Sequence, residues 1–125
     1  MELTQQPAQG RQIIQSYGGG GFRVAGVRHE GSVLVFPRRT MAWAVTSAEG
    51  LAVTHLRQLA DMPGEVDVLL VGMGRTSTVP ARELRAALRE LGISVETMTT
   101  SAACRTFNVL LAEERKVAAA LISVP

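Results

Sequence analysis

The residues best suited to chemistry lie in the segment TTSAACRTFNVLLAEERKVAAALI, in the last quarter of the chain. Cys104 is the only cysteine in the sequence. Asn108 follows one turn later on the same face of a predicted helix, and Arg105 borders that face. A cysteine in the first helical turn is favoured as a thiolate. The set therefore indicates a binding site or, with His29 or His55 as a base, a nucleophile. A lone cysteine among alanines is more typical of core packing, which is the interpretation we favour.

The second candidate is a glycine loop that follows the strongest predicted strand, residues 66–72. Dinucleotide-binding loops also place glycines after a strand, but the third glycine of that fingerprint is missing here, and the next helix is predicted to begin only at Pro80. A weaker hypothesis is a small-anion site at Gly74 to Thr78, near the start of that helix. The structural alternative is a strand-end loop whose glycines permit positive φ or close backbone approach.

Two predicted helices position these candidates. The first runs from Pro80 to Leu91, with its leucines on one face and Gly92 as its stop. The second, residues 101–113, presents an apolar face to the core and has three suitable N-cap residues in Thr99–Ser101. Both helices are predicted to pack on a sheet, because each is preceded by a short apolar strand.

The remaining strands are predicted from short β-branched, alternating or continuously apolar segments, which are residues 12–17, 22–27, 32–36, 93–98 and 116–124. The last of these segments is open between a strand and a helix extension, and its β-branched ends favour a strand. A hairpin turn is expected at residues 29–31. Strands followed by alternating helices predict an α/β or mixed architecture, as a single domain over residues 11–125 after a flexible segment, 1–10.

Composition narrows the classes of function. Thirteen basic residues against eleven acidic ones give a net charge of +2. The basic residues are scattered, which argues against nucleic-acid binding, and the stripe Arg82, Arg85 and Arg89 is predicted to be a solvated helix face. One cysteine excludes an internal disulfide and a cysteine-based metal cluster. No apolar run approaches the ~20 residues of a membrane helix. We therefore expect a soluble cytoplasmic protein without a membrane span.

An arginine pair beside a tryptophan is a further candidate for recognition. Arg38 and Arg39 follow the predicted strand 32–36, and Trp43 comes shortly after them. These three residues predict either an exposed recognition patch or a loop whose tryptophan is packed into the core.

Taken together, these segments resemble the domain-of-unknown-function 498 family, whose relatives include the mitochondrial complex I assembly factor 3 type. The resemblance covers Ile14 to Ile122 and rests on SVLVFP, Trp43, LLVGMG, Pro80 and, above all, AACRTFNVLLAEERKVAAALI. It implies a three-layer α/β fold with a central mixed β-sheet, the last strand antiparallel to the others, and helices covering the sheet. It provides no established catalytic residues to transfer, and for the mitochondrial relatives it implies a role in respiratory-complex assembly through protein partners.

The sequence departs from the family pattern at three positions. Met73 stands where a threonine is usual between the two glycines, and Thr99 stands where an aspartate is common. Both changes weaken the case for a polar site at the loop. Glu114 replaces a glycine, which removes the expected left-handed helix stop, so the second helix is predicted to end less sharply.

The sequence therefore predicts a non-enzymatic protein-interaction or assembly factor with no catalytic residues, no metal ligands and no cofactor. Its protein partners are not specified, nucleic acid is not expected, and a homo-oligomer is left open. The alternative is a small-molecule or anion-binding domain, or an enzyme, built from the glycine loop and the start of the second helix. That alternative requires six residues to converge on one pocket: Gly72, Gly74, Arg75, Cys104, Arg105 and Asn108.

Overall fold

The computed structural model describes residues 10–77 and 82–125, which form two β-sheets, two α-helices and a 3₁₀ segment. The strands are β1 Ile14–Gly18, β2 Gly21–Val24, β3 Val27–Glu30, β4 Val33–Val35, β5 Thr40–Ala42, β6 Val68–Gly72, β7 Ser94–Met98 and β8 Val117–Leu121. The helices are α1 Arg82–Glu90 and α2 Thr100–Ala112, and the 3₁₀ segment is Val53–Asp61. Pro80 and, except for Gly10, the predicted flexible segment lie outside the described residues.

The central sheet has five strands in the order β5-β4-β8-β6-β7 and is mixed, as expected. β6 pairs in parallel with both β7 and β8, which confirms it as a central parallel strand. The expected orientation of the last strand is wrong in part. β8 is antiparallel to β4 but parallel to β6. The reason is that α2 crosses back over the sheet between β7 and β8, so both strands run in the same direction.

The central sheet separates two layers, which confirms the three-layer arrangement. Leu69 and Val71 of β6 face one core together with α1 and the 3₁₀ segment. Leu70 faces the other core, where α2 and the β1–β2–β3 sheet cover the opposite side. β4 and β8 are also buried along their whole length. Burial on both faces explains why these strands appear in the sequence as continuous apolar runs rather than alternating ones.

The first hairpins differ from the prediction. The expected strand 22–27 is interrupted by a two-residue turn, Ala25–Gly26, whose φ angles of 49° and 83° are both positive. Positive φ at both positions matches the hairpin turn that follows the twist of its strands. The turn expected at 29–31 is wrong, because His29 and Glu30 belong to β3. The alternating pattern of FRVAGV hid the turn, since it lacks the usual asparagine or aspartate.

The predicted stop of α1 is confirmed. Gly92 has a φ of 78°. Its backbone N–H donates to the Arg89 carbonyl at 2.9 Å, and the Ile93 N–H donates to the Leu88 carbonyl at 2.9 Å. These two bonds close the last turn of the helix in the manner typical of a glycine terminus.

The expectation that α2 would end less sharply is wrong. Glu114 adopts the left-handed conformation with a φ of 60°. The Glu114 N–H donates to the Leu111 carbonyl at 2.9 Å, and the Arg115 N–H donates to the Leu110 carbonyl at 3.0 Å. The helix therefore ends with the same closed pair of bonds that a glycine gives, although a side chain in this conformation costs free energy.

Candidate functional site

The glycine loop leaves β6 beside the first residue of α2, and Thr100 binds it there. Thr100 is fully buried. Its Oγ1 accepts a hydrogen bond from the Gly74 N–H at 2.9 Å and donates to the Ile122 carbonyl at 2.7 Å. Its backbone N–H donates to the Gly74 carbonyl at 2.9 Å. Both backbone groups of Gly74 are therefore bound within the fold rather than directed towards a ligand.

Close packing explains why the loop begins with glycine. A Cβ atom on Gly72 would lie 2.9 Å from the Thr100 Cα and 3.0 Å from Cδ2 of Leu121. The first of these atoms belongs to the backbone and cannot rotate away. Gly74 has a φ of 94°, which a residue with a side chain rarely adopts. Close approach at Gly72 and positive φ at Gly74 are the structural roles that the sequence left open.

Cys104 belongs to the core on the α2 side of the sheet and is not exposed to solvent. Burial raises the pKa of its thiol to about 12, and the positive charge of Arg105 offsets only part of that effect. The thiol is therefore protonated at neutral pH, whereas a nucleophile or metal ligand has to be a thiolate. This geometry agrees with the packing interpretation of Cys104.

Asn108 joins α2 to the three-stranded sheet. Its Oδ1 accepts a hydrogen bond from the Ile14 N–H at 2.9 Å, and its Nδ2 donates to the Ile14 carbonyl at 2.9 Å. Because the two backbone groups differ in kind, they also fix the orientation of the amide. Asn108 lies eight residues after Thr100, which is roughly 12 Å along the helix axis. It is therefore held away from the glycine loop.

The structure thus divides the six predicted site residues. Gly72 and Gly74 meet around Thr100, while Cys104 and Asn108 are held in contacts with other parts of the fold. Arg75 and Arg105 are exposed to solvent. Whether a small molecule or an anion binds at this end of the sheet stays a prediction.

A concave surface lies at the end of the sheet opposite the glycine loop, and we call it the cationic groove. Its larger lobe has a cavity volume of about 410 Å³ and is lined by Phe36, Pro37, Arg38, Arg39, Met62 and Lys116, together with Gly64 and Glu65. A smaller lobe of about 280 Å³ shares Pro37, Arg38, Glu65 and Lys116 with it and adds Arg11, Leu111, Glu114 and Arg115. The groove is formed where β4 ends and where β6 and β8 begin.

Of the two interpretations of the arginine pair and the tryptophan, the structure agrees with a loop whose tryptophan is packed into the core. Arg38 and Arg39 are exposed and line the cationic groove. Trp43 is only 5% exposed, and its Nε1 donates to the His55 carbonyl at 2.7 Å. The arginine pair was therefore a usable signal for the groove. Its other wall, which includes Met62 and Lys116, comes from distant parts of the chain, and neither residue was predicted to take part in recognition.

Two further findings concern the described part of the chain. No group of three or more histidine, cysteine, aspartate or glutamate side chains is close enough to hold a metal ion there. None of the helices within residues 10–77 and 82–125 combines the length and the apolar character that a bilayer span requires.

The fold defines a class of protein, namely small three-layer α/β domains with a mixed central sheet. In this chain, a glycine loop at the end of the sheet is bound to the start of a helix. The chain belongs to the protein family of unknown function DUF498/DUF598, whose model matches residues 14–122. The family expected from the sequence is therefore confirmed.

Individual relatives agree with that assignment. An uncharacterised protein of Rhodobacter capsulatus is 43% identical over 112 residues, which cover 90% of this chain and 85% of the relative. NADH dehydrogenase [ubiquinone] 1 alpha subcomplex assembly factor 3 of Danio rerio is 33% identical over 125 residues, covering 100% of this chain and 72% of that protein. A crystal structure described as an outer membrane protein from Bartonella henselae matches with a TM-score of 0.84 and 42% identity. That match covers 93% of this chain and 98% of the other.

Proposed function

We propose that this protein is a non-enzymatic protein-interaction domain that acts as an assembly factor. The relative from Danio rerio, which this chain matches along its whole length, is named as an assembly factor for NADH dehydrogenase. On that basis, the proposed clients are subunits of a NADH dehydrogenase or of a similar multisubunit enzyme.

The observation that carries the proposal is that the polar groups of the predicted site residues are bound or buried within the fold. A ligand or catalytic site needs polar groups that are aimed into a cavity. Here the Gly74 N–H is bound to Thr100, and the Asn108 amide is bound to Ile14. The Cys104 thiol is buried and protonated at neutral pH. These contacts support a structural role for the predicted site residues, and they favour interaction through the outer surface of the domain.

The experiment is deletion of the gene in the organism that encodes this chain, followed by native electrophoresis of its NADH dehydrogenase. We expect less assembled enzyme and more partial complexes at unchanged subunit synthesis, with recovery when the intact chain is supplied again. Unchanged assembly after deletion would contradict the assembly role. Turnover of a metabolite by the purified protein would contradict the non-enzymatic part of the proposal.

A further inference from the structure

We propose that the cationic groove binds an acidic segment of a partner protein. In this arrangement an apolar side chain of the segment lies against Phe36 and Met62, while its carboxylates pair with Arg39 and Lys116. The inference rests on the proposed interaction function and assigns that function a surface and a chemistry of partner. It is carried by the charge, the shape and the construction of the groove.

Positive charge is concentrated along the cationic groove. The cations that line the two lobes are Arg11, Arg38, Arg39, Arg115 and Lys116, and the carboxylates are Glu65 and Glu114. The groove therefore carries three more positive than negative side chains, whereas the whole chain has a net charge of only +2. The rest of the chain has no positive surplus, so the groove is where the excess resides. A surface of this kind attracts and orients acidic partners.

The larger lobe of the groove has a shape that suits an apolar side chain. Phe36 and Met62 line the floor of the larger lobe, where only 2% and 6% of their surfaces are exposed. The Arg39 guanidinium carbon lies 5.2 Å from the centre of the Phe36 ring. An apolar wall with a cationic rim fits an apolar anchor flanked by carboxylates. The second lobe shares Arg38 and Lys116 with the first and extends the surface, which suits an extended peptide better than a compact metabolite. A flat membrane surface fits a concave cavity of this size poorly.

Hydrogen bonds fix the backbone of the groove in place. The Phe36 N–H donates to the Arg39 carbonyl at 2.8 Å, which closes the turn between β4 and β5. The Lys116 carbonyl accepts from the Asp67 N–H at 2.8 Å, which ties the start of β8 to the start of β6. Segments that are already ordered lose little conformational freedom when a partner binds, so a small surface can give useful affinity.

The test uses the full chain and a fluorescein-labelled peptide, Asp-Glu-Asp-Leu-Phe-Glu-Asp-Glu, measured by fluorescence anisotropy. One comparison peptide replaces every carboxylate by its amide, and another replaces Leu-Phe by Ser-Ser. We expect the acidic peptide to bind and both comparison peptides to bind at least roughly tenfold more weakly. We also expect its affinity to fall between about 50 and about 500 mM salt, because the charged rim is exposed to solvent.

Two charge-reversal variants locate the binding. Lys116→Glu changes the rim of the groove, and Arg57→Glu makes the same charge change at an exposed residue of the 3₁₀ segment. We expect Lys116→Glu to weaken binding at least roughly tenfold and Arg57→Glu to change it by less than about twofold. Equal losses in the two variants would show general charge attraction and would overturn the proposal.

Three other results would also overturn it. The first is that the acidic peptide does not bind at low salt, and the second is that the amide peptide binds equally well. The third is that single-stranded RNA or phosphatidylglycerol vesicles bind more strongly than the peptide and in a way that depends on Lys116.

Failure of the groove proposal is distinguishable from failure of the assembly role. If Lys116→Glu restores NADH dehydrogenase assembly in deleted cells as well as the intact chain does, the groove proposal fails alone. If deletion has no effect on assembly, the proposed function fails.

Discussion

The two ends of the central sheet use polar residues in opposite ways. At the glycine end, the hydroxyl of Thr100 binds Gly74 and Ile122, and the loop is closed against α2. At the other end, Arg39 and Lys116 are exposed around a cavity of about 410 Å³. The first end has the glycines that resemble a ligand loop, and the second has only an arginine pair as a signal.

Glycines that are typical of a ligand loop serve close packing at Gly72, whereas the groove for which we propose binding carries no such motif. A glycine at the end of a strand is needed either for a ligand or for a close neighbour, and at Gly72 the neighbour is Thr100. If this contrast is correct, substitutions at the glycine end reduce stability, and substitutions at the groove end leave stability almost unchanged while they alter binding.

The largest effect is expected from Gly72→Ala. The added methyl group would meet the Thr100 backbone at 2.9 Å, and shortening the threonine side chain cannot relieve that contact. We expect a loss of about 3 kcal/mol in the free energy of unfolding, measured by urea titration. Arg75→Ala in the same loop is the control, with an expected change under about 0.5 kcal/mol. Equal stability of the two variants would show that the loop is not packed as described.

Thr100→Val removes the hydroxyl and keeps the shape of the side chain. The Gly74 N–H and the Ile122 carbonyl would then lose their shared partner inside the protein. We expect a loss of about 2 kcal/mol, because unpaired buried polar groups are costly. Thr100→Ser keeps the hydroxyl and should lose only about 1 kcal/mol. Serine as destabilising as valine would disprove the role given to the hydroxyl.

Burial of Cys104 makes the stability of the fold depend on alkaline pH. The unfolded thiol has a pKa of 9.0, and burial raises the folded value to about 12. Below pH 9 the thiol keeps its proton in both the folded and the unfolded protein, so the free energy of unfolding is unaffected. Between pH 9 and 12 only the unfolded protein loses the proton, so the free energy of unfolding falls. The loss at pH 10 should be roughly 1 kcal/mol. Urea titrations at pH 8 and pH 10 measure it, and Cys104→Ala should lack this component. An identical pH dependence in the two proteins would place the thiol in contact with water.

Glu114→Gly changes the groove end and should have a smaller effect, of opposite sign. Glu114 holds a φ of 60°, which glycine adopts without strain. We expect a gain of roughly 0.5–1 kcal/mol in thermal or urea unfolding. Glu113→Gly, at the adjacent position with a φ of −86°, is the matched control and should lose stability. Since Glu114 also lines the groove, its removal should strengthen binding of an acidic peptide. A loss of stability in Glu114→Gly would contradict the strain.

The smallest effect on stability is expected from Lys116→Glu. The Lys116 side chain is exposed. The backbone carbonyl of Lys116, which the substitution keeps, accepts hydrogen bonds from the Asp67 and Val68 N–H groups. We expect a change under about 0.5 kcal/mol by urea titration. A loss comparable to that of Gly72→Ala would remove the contrast between the two ends and would make the binding test with this variant uninformative.

Much of the fold could be predicted because its signals are local. The continuous apolar runs of β4, β6 and β8 indicate strands buried on both faces, and the spacing of Phe107 and Leu111 indicates a core-facing helix. The turn at Ala25–Gly26 was missed because the local pattern continues through it. The direction of β8 was missed because it depends on which strand lies beside it, which no local pattern records.

From the sequence alone, the family could be assigned and most strands and helices could be predicted, because both rest on patterns of residue type along the chain. The roles of the polar residues became visible only in the folded chain. Thr100 finds its partner Gly74 26 positions away, and Asn108 finds Ile14 94 positions away. The cationic groove likewise joins Arg39 to Lys116 across the sheet. A polar group binds whatever the fold brings within about 3 Å, and spacing along the chain does not determine that.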